Sequence, residues 1–167
     1  LRRQRQMCIR DRARHGPVTL TAPTSCPASS TSKGHNVEWI NEYLSRKYES
    51  GARGPEAYDC WGLVREARHR YMGKRLLPEW GAACNTNPKE ITRAYRAESP
   101  AMEQCRPEAG AIAAVMRGPL CVHVALVVYA GGRLKVLETN PGRGARCRPI
   151  SQFESDHNVV LYYRDRE

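Results

Sequence analysis

No apolar run in this chain can cross a bilayer. The longest, Val124 to Ala130, has seven residues, against about 20 for a spanning helix. Insertion into a membrane is therefore not expected. Acid is also scarce, with 17 Asp and Glu against 27 Lys and Arg and a net charge of +10. The imbalance is local: residues 1–35 hold seven Lys/Arg and a single acid, whereas residues 36–167 hold twenty and sixteen. A mildly basic body suits a polyanionic partner such as cell wall, and equally an ordinary solvated surface. No basic stripe carries interleaved aromatics, so nucleic acid is not an expected partner. The seven cysteines include no C-x-x-C pair, which disfavours a zinc ribbon, and no metal or cofactor is expected. An odd number of thiols fits a chain made in a reducing cytoplasm with at least one thiol free. There is no internal repeat.

The 167 residues suffice for one domain plus a tail. Residues 1–35 form the tail. "LRRQRQMCIRDRARHG" is charged without an apolar helical face, and "PVTLTAPTSCPASSTSKGH" is rich in Pro, Ser and Thr, so disorder is expected. The tail lacks the apolar core of a signal peptide. "MCIRDR" looks like translated non-coding or adapter sequence, which places the native start later. The competing view is a basic arm that binds an anionic partner.

The domain is expected over 36–167. In "NVEWINEYLSRKY", Val37, Ile40, Tyr43, Leu44 and Tyr48 recur at helical spacing, with Asn36 as N-cap. "ESGARGPEAY" is a Gly/Pro loop. "CWGLVREARHRYM" presents Leu63, Val64, Ala67 and Tyr71 on one face and stops at Gly73. "KEITRAYRA" is a shorter helix. "GAIAAVM", "VHVALVVYA", "RLKVLET" and "NVVLYY" read as strands, with Gly131 and Gly132 as a tight turn. Helices first and antiparallel strands after make the fold class α+β.

Chemistry is concentrated at Cys60, which follows the glycine-rich loop and opens a helix. The positive end of a helix dipole favours thiolate over thiol, so a lowered pKa is expected. Gly62 leaves room for a close backbone approach. The competing role is that of a small buried hydrophobe. His123 opens the apolar strand "HVALVV" and shares a face with Ala125 and Val127. It can act as base to the thiol, or be a satisfied edge histidine. After the turn, Val136, Glu138 and Asn140 share a face, so either polar residue can orient the imidazole. His69 and His157 are less attractive, the latter because it sits in a polar loop.

With these residues in view, the chain resembles the NlpC/P60 family of papain-like cysteine peptidases, in particular members encoded with phage tail genes. "KYESGARGPEAYDCWGLV" matches the family's tyrosine, glycine-rich loop and Asp-Cys-x-Gly signature. "HVALVVYAGGRLKVLET" is similar to its histidine strand, turn and third-residue strand. The likeness spans about Val37 to Tyr163. It implies a papain-like fold with N-terminal helices on an antiparallel sheet of about five strands. It implies Cys60 as nucleophile, His123 as general base and Glu138 as third residue, where many relatives have His, Asn or Gln, with Asn140 in reserve. Tyr48 falls where relatives hold substrate or oxyanion, and Asp59 where an acid meets the substrate amine. Trp61 replaces the commoner serine, as in the tail-associated subgroup. Ala111 stands where relatives have Asp. The implied activity is hydrolysis of peptidoglycan stem peptides, at a γ-D-glutamyl to diamino acid bond, through a thioacyl-enzyme and without cofactor. The implied partners are peptidoglycan and other phage tail proteins, and the implied place is a virion tail acting at the cell wall. The alternatives are an amidase or acyltransferase on the same scaffold, and a non-catalytic tail assembly protein.

Overall fold

Two stop signals shape the first elements of the computed structural model, which describes residues 38–166. Helix α1 (Glu38–Leu44) ends four residues short of the expected helical run. The Ser45 hydroxyl donates to the Glu42 carbonyl at 2.9 Å, a local bond that competes with further helix. Tyr48 thus leaves the helix and lies in a two-residue strand, β1 (Lys47–Tyr48), parallel to β2 (Ala57–Tyr58) with Tyr48 opposite Tyr58. The expected tail (1–35) and the expected N-cap Asn36 lie outside the described residues.

Helix α2 (Cys60–Met72) starts at Asp59, whose carboxylate accepts from the Gly62 N–H, and ends at Gly73 with φ 62°. Both ends follow the cap chemistry written in the sequence. Helix α3 (Pro88–Glu98) has Asn87 as N-cap and Pro88 in its first turn. The strands are β3 (Met102–Cys105), β4 (Ile112–Arg117), β5 (Leu120–Ala130), β6 (Arg133–Asn140), β7 (Gly144–Pro149) and β8 (Val159–Asp165), with a short helix α4 (Ile150–Ser155) before the last. They form one antiparallel sheet in the order β3-β8-β4-β5-β6-β7. The α+β class is as read from the sequence. The sheet has six strands rather than about five.

The alternation of side chains sorts the core onto the two faces of the sheet. Val124, Leu126, Val128 and Leu137 pack with Ile40, Leu63, Val64 and Ile91 from the helices. Ala113, Ala125, Val127 and Val136 pack with Phe153 of α4 on the other face. Each large side chain buried there contributes about 1.5–3 kcal/mol of hydrophobic stabilisation. A bulge where Val115 gives way to Met116 shifts the β4–β5 register. It turns Cys121 into the helix-side core, away from the face of His123 on which strict alternation places it. No described helix is long and apolar enough to cross a membrane.

Candidate active site

The loop ahead of Cys60 is held by one carboxylate. Asp59 is fully buried. Its Oδ1 accepts from Gly62 N–H at 2.8 Å, and its Oδ2 from Gly51 N–H at 2.9 Å and Arg53 Nη1 at 2.5 Å. With those bonds made, no oxygen of Asp59 is exposed toward a substrate amine. Gly62 faces the same loop, and a Cβ there would lie 2.4 Å from the Ala52 carbonyl oxygen. Trp61 is also buried, and its indole N–H donates to Pro78 O at 3.0 Å. Asp59 and Trp61 therefore fasten α2 and its loop.

Cys60 is 1% exposed. Burial pushes its thiol pKa up, and the charge of Asp59 pushes the same way. The backbone N–H groups of Val124 and Asn85, which face the sulfur, pull it down without prevailing. The expected lowering by the helix dipole is thus overridden in this closed arrangement. All five described cysteines are free.

The β5–β6 ladder stops at Leu126 and Leu137. In the same register His123 would stand opposite Asn140, but the backbones have parted there and side chains span the gap. His123 Nε2 lies 2.8 Å from Glu138 Oε2. Asn140 Nδ2 donates to the same oxygen at 3.0 Å. Arg146 Nε donates to Glu138 Oε1 at 2.8 Å, and Arg148 Nε approaches it at the same distance in an ion pair. Burial alone would raise the Glu138 pKa; the hydrogen bond and charge of His123, with Asn140 and Arg148, hold it down to about 2. Asn140, a rival of Glu138 in the sequence, stands behind it as a donor.

His123 Nδ1 is buried without a hydrogen-bond partner. The sulfur faces the N–H of the peptide joining residues 123 and 124, one residue from the ring, yet no thiol–imidazole hydrogen bond is formed. The ring lies 6.3 Å from both Phe153 and His157. The structure thus joins His123, Glu138 and Asn140 directly, and sets Cys60 against the backbone beside them.

Asn85 ties the parts together. Tyr48 donates its hydroxyl to Asn85 Oδ1 at 2.6 Å, and Asn85 Nδ2 donates to Asn140 Oδ1 at 3.0 Å. A chain of hydrogen bonds thus runs from Tyr48 through Asn85 and Asn140 to Glu138 and His123, while the Asn85 backbone covers the sulfur. Burial raises the Tyr48 pKa, so its hydroxyl stays a donor. Asn85, Arg146 and Arg148 were not read from the sequence, and His157 was set aside there as a loop residue. The strand signal of β6 and its turn was visible, but the partner strand β7 has no apolar alternation to reveal its arginines.

A groove of about 410 Å³ opens beside this network, lined among others by Asn85, His123, Asn140 and His157. A second, of about 610 Å³, adjoins it through Asn140, Asp156 and His157. Among the described residues no group of three metal-ligating side chains occurs.

No family model and no curated protein matches the chain. Among solved structures it is similar to two of an N-acetylmuramoyl-L-alanine amidase from Bacteroides uniformis. In one, 15% identity extends over 78% of this chain and 97% of that one, with a TM-score of 0.45. In the other, 22% identity extends over 36% of this chain and only 29% of that one, with a TM-score of 0.30. Likeness at this level says nothing about the chemistry of this chain.

Proposed function

We propose that the chain is a cysteine hydrolase that cuts peptidoglycan stem peptides, at a γ-D-glutamyl to diamino acid bond, as a component of a phage tail made in the bacterial cytoplasm and acting at the cell wall. The reading joins the NlpC/P60 resemblance of the cysteine loop to one observation. Glu138 occupies His123 Nε2 and leaves Nδ1 unsatisfied, while the Cys60 sulfur faces the backbone N–H of the next residue, Val124.

In this mechanism Nδ1 takes the thiol proton and the sulfur attacks the amide carbonyl. Glu138 stabilises the imidazolium that results. The tetrahedral oxyanion collapses, the C–N bond breaks, and His123 protonates the leaving amine. Water then attacks the thioester, with His123 as base, and releases the acid and the thiol. Tyr48 is the candidate donor to the oxyanion once Asn85 releases its hydroxyl. Because the sulfur is sealed, attack requires the segment carrying Asn85 to move off it.

Cys60→Ala and Cys60→Ser are expected to abolish release of peptide fragments from purified sacculi, read by mass spectrometry. Full activity in both variants would end the proposal. Product masses also separate the peptidase from an amidase or acyltransferase on the same thioacyl route. The sealed thiol favours a second reading, a non-catalytic tail assembly protein. Iodoacetamide labelling separates the two: a catalytic Cys60 reacts well below pH 8.5 once substrate peptide is present, and a structural one does not.

A further inference from the structure

The second groove is walled by arginines because of strand register. On β7, Arg146 stands opposite Glu138 and Arg148 opposite Val136, so both guanidiniums project on the face that carries His123's partner. The turn that joins β6 to β7 uses Gly142 at φ 72° and Gly144 at φ 65°, conformations suited to glycine. It brings Arg143 to the rim, where its guanidinium forms no ion pair among the described residues.

Charge in this groove does not balance. Three guanidiniums meet two carboxylates. Glu138 Oε1 faces Arg146 and Arg148, and Asp156 Oδ2 lies 2.5 Å from Arg148 Nη1. Glu138 also serves His123. Arg148 Nη2 and His157 Nε2 are buried with no hydrogen-bond partner, and both residues line the groove. Buried polar atoms left unmet cost about 1–3 kcal/mol each, and a planar anion that accepts from Arg148 Nη2 would relieve that cost. Because Asn140, Asp156 and His157 line both grooves, an anion held here lies beside the candidate imidazole.

We infer that the arginine groove is a carboxylate subsite that recognises a free carboxylate of the peptide substrate next to the scissile bond. This deepens the peptidase reading and rests on it for the identity of the ligand. In a γ-linked glutamyl residue the α-carboxylate is free, and the diamino acid carries a second one. Either supplies the same chemistry.

The test is calorimetry on the full-length Cys60→Ala chain with three probes based on L-Ala-γ-D-Glu-L-Lys. One keeps only the glutamyl carboxylate, one only the lysine carboxylate, and one has both as amides. One of the acids is expected to bind about tenfold more tightly than the diamide, as a charge-assisted bond warrants, and which acid it is identifies the source. Arg143→Gln, at an exposed position, should erase most of the preference, and Arg143→Lys should restore part of it. Equal affinity for all three, or a preference that Arg143→Gln leaves unchanged, overturns the subsite. If no peptide binds, succinate is titrated instead. Succinate binding that Arg143→Gln weakens keeps the anion site and sinks the peptidase reading, whereas no succinate binding overturns the subsite itself.

Discussion

Glu138 shows how one residue couples the candidate chemistry to stability. It is 1% exposed and faces His123, Asn140, Arg146 and Arg148. Its pKa falls from an ordinary 4.5 to about 2. A carboxyl that is more acidic when folded stabilises the fold above its unfolded pKa, and the contribution drains as pH falls through the folded value. The contribution is on the order of 3 kcal/mol, full above about pH 4.5 and lost toward pH 2. Glu138→Gln should remove it at neutral pH, leave Arg146 without a carboxylate and Arg148 with Asp156 alone, and cost about 3 kcal/mol or more. Urea melts between pH 7 and pH 2 check this. The wild type should lose stability steeply below pH 4.5, and the variant should lack that part of the slope. An identical slope in both would show that Glu138 is not the group responsible. The same substitution should cut peptide release at pH 7 by about a hundredfold or more, because the imidazolium loses its counter-charge.

At the scale of elements, legibility followed the apolar pattern. Helix α2 was readable because its loop, apolar face and stop glycine are all local, although its cap, Asp59, was read only as a substrate contact. The glycine turn fixes the β5–β6 register, which brought Glu138 and Asn140 within reach of His123 but left open which of the two would meet it. Strand β7, "GARCRP", has half-buried residues throughout and no alternation to read. Helix α4 is six residues long and buries Phe153 alone. The stretch 74–87 has no period at all, and there Asn85 does its work through two hydrogen bonds and a backbone contact. Such a role depends on tertiary neighbours that composition does not reveal. Two predictions belong here. Gly62→Ala places a Cβ 2.4 Å from the Ala52 carbonyl oxygen, so α2 must move off its loop. It should cost about 1–3 kcal/mol, visible as a lowered Tm, and an unchanged Tm would refute the packing argument. Asn85→Ala releases the segment above the sulfur, and should raise the rate of Cys60 alkylation about tenfold or more with the Tm little changed. An unaltered rate would mean that Asn85 is not what seals the thiol.

For the whole molecule, the site lies where β5 and β6 part, between a core packed under α1 to α3 and a second core packed on α4. Among the described residues both cores are built from Ile40 onward, and the composition of residues 1–35 reads as a tail, so the fold is predicted to stand without them. That segment holds seven of the 27 basic residues and a single acid. Its removal leaves a body of net charge +4, which separates two properties that the intact chain mixes. A chain of residues 36–167 should melt cooperatively with a Tm within about 4 °C of full length, which corresponds to about 1 kcal/mol or less at this size. It should leave a polyanionic matrix at lower salt than the full chain, since the electrostatic attraction scales with the charges engaged. Peptide release should persist if catalysis resides in the domain. A Tm lowered by much more than that would place part of the first 35 residues in the folded body. Lost release with an unchanged Tm would instead assign the basic segment to capture of the wall.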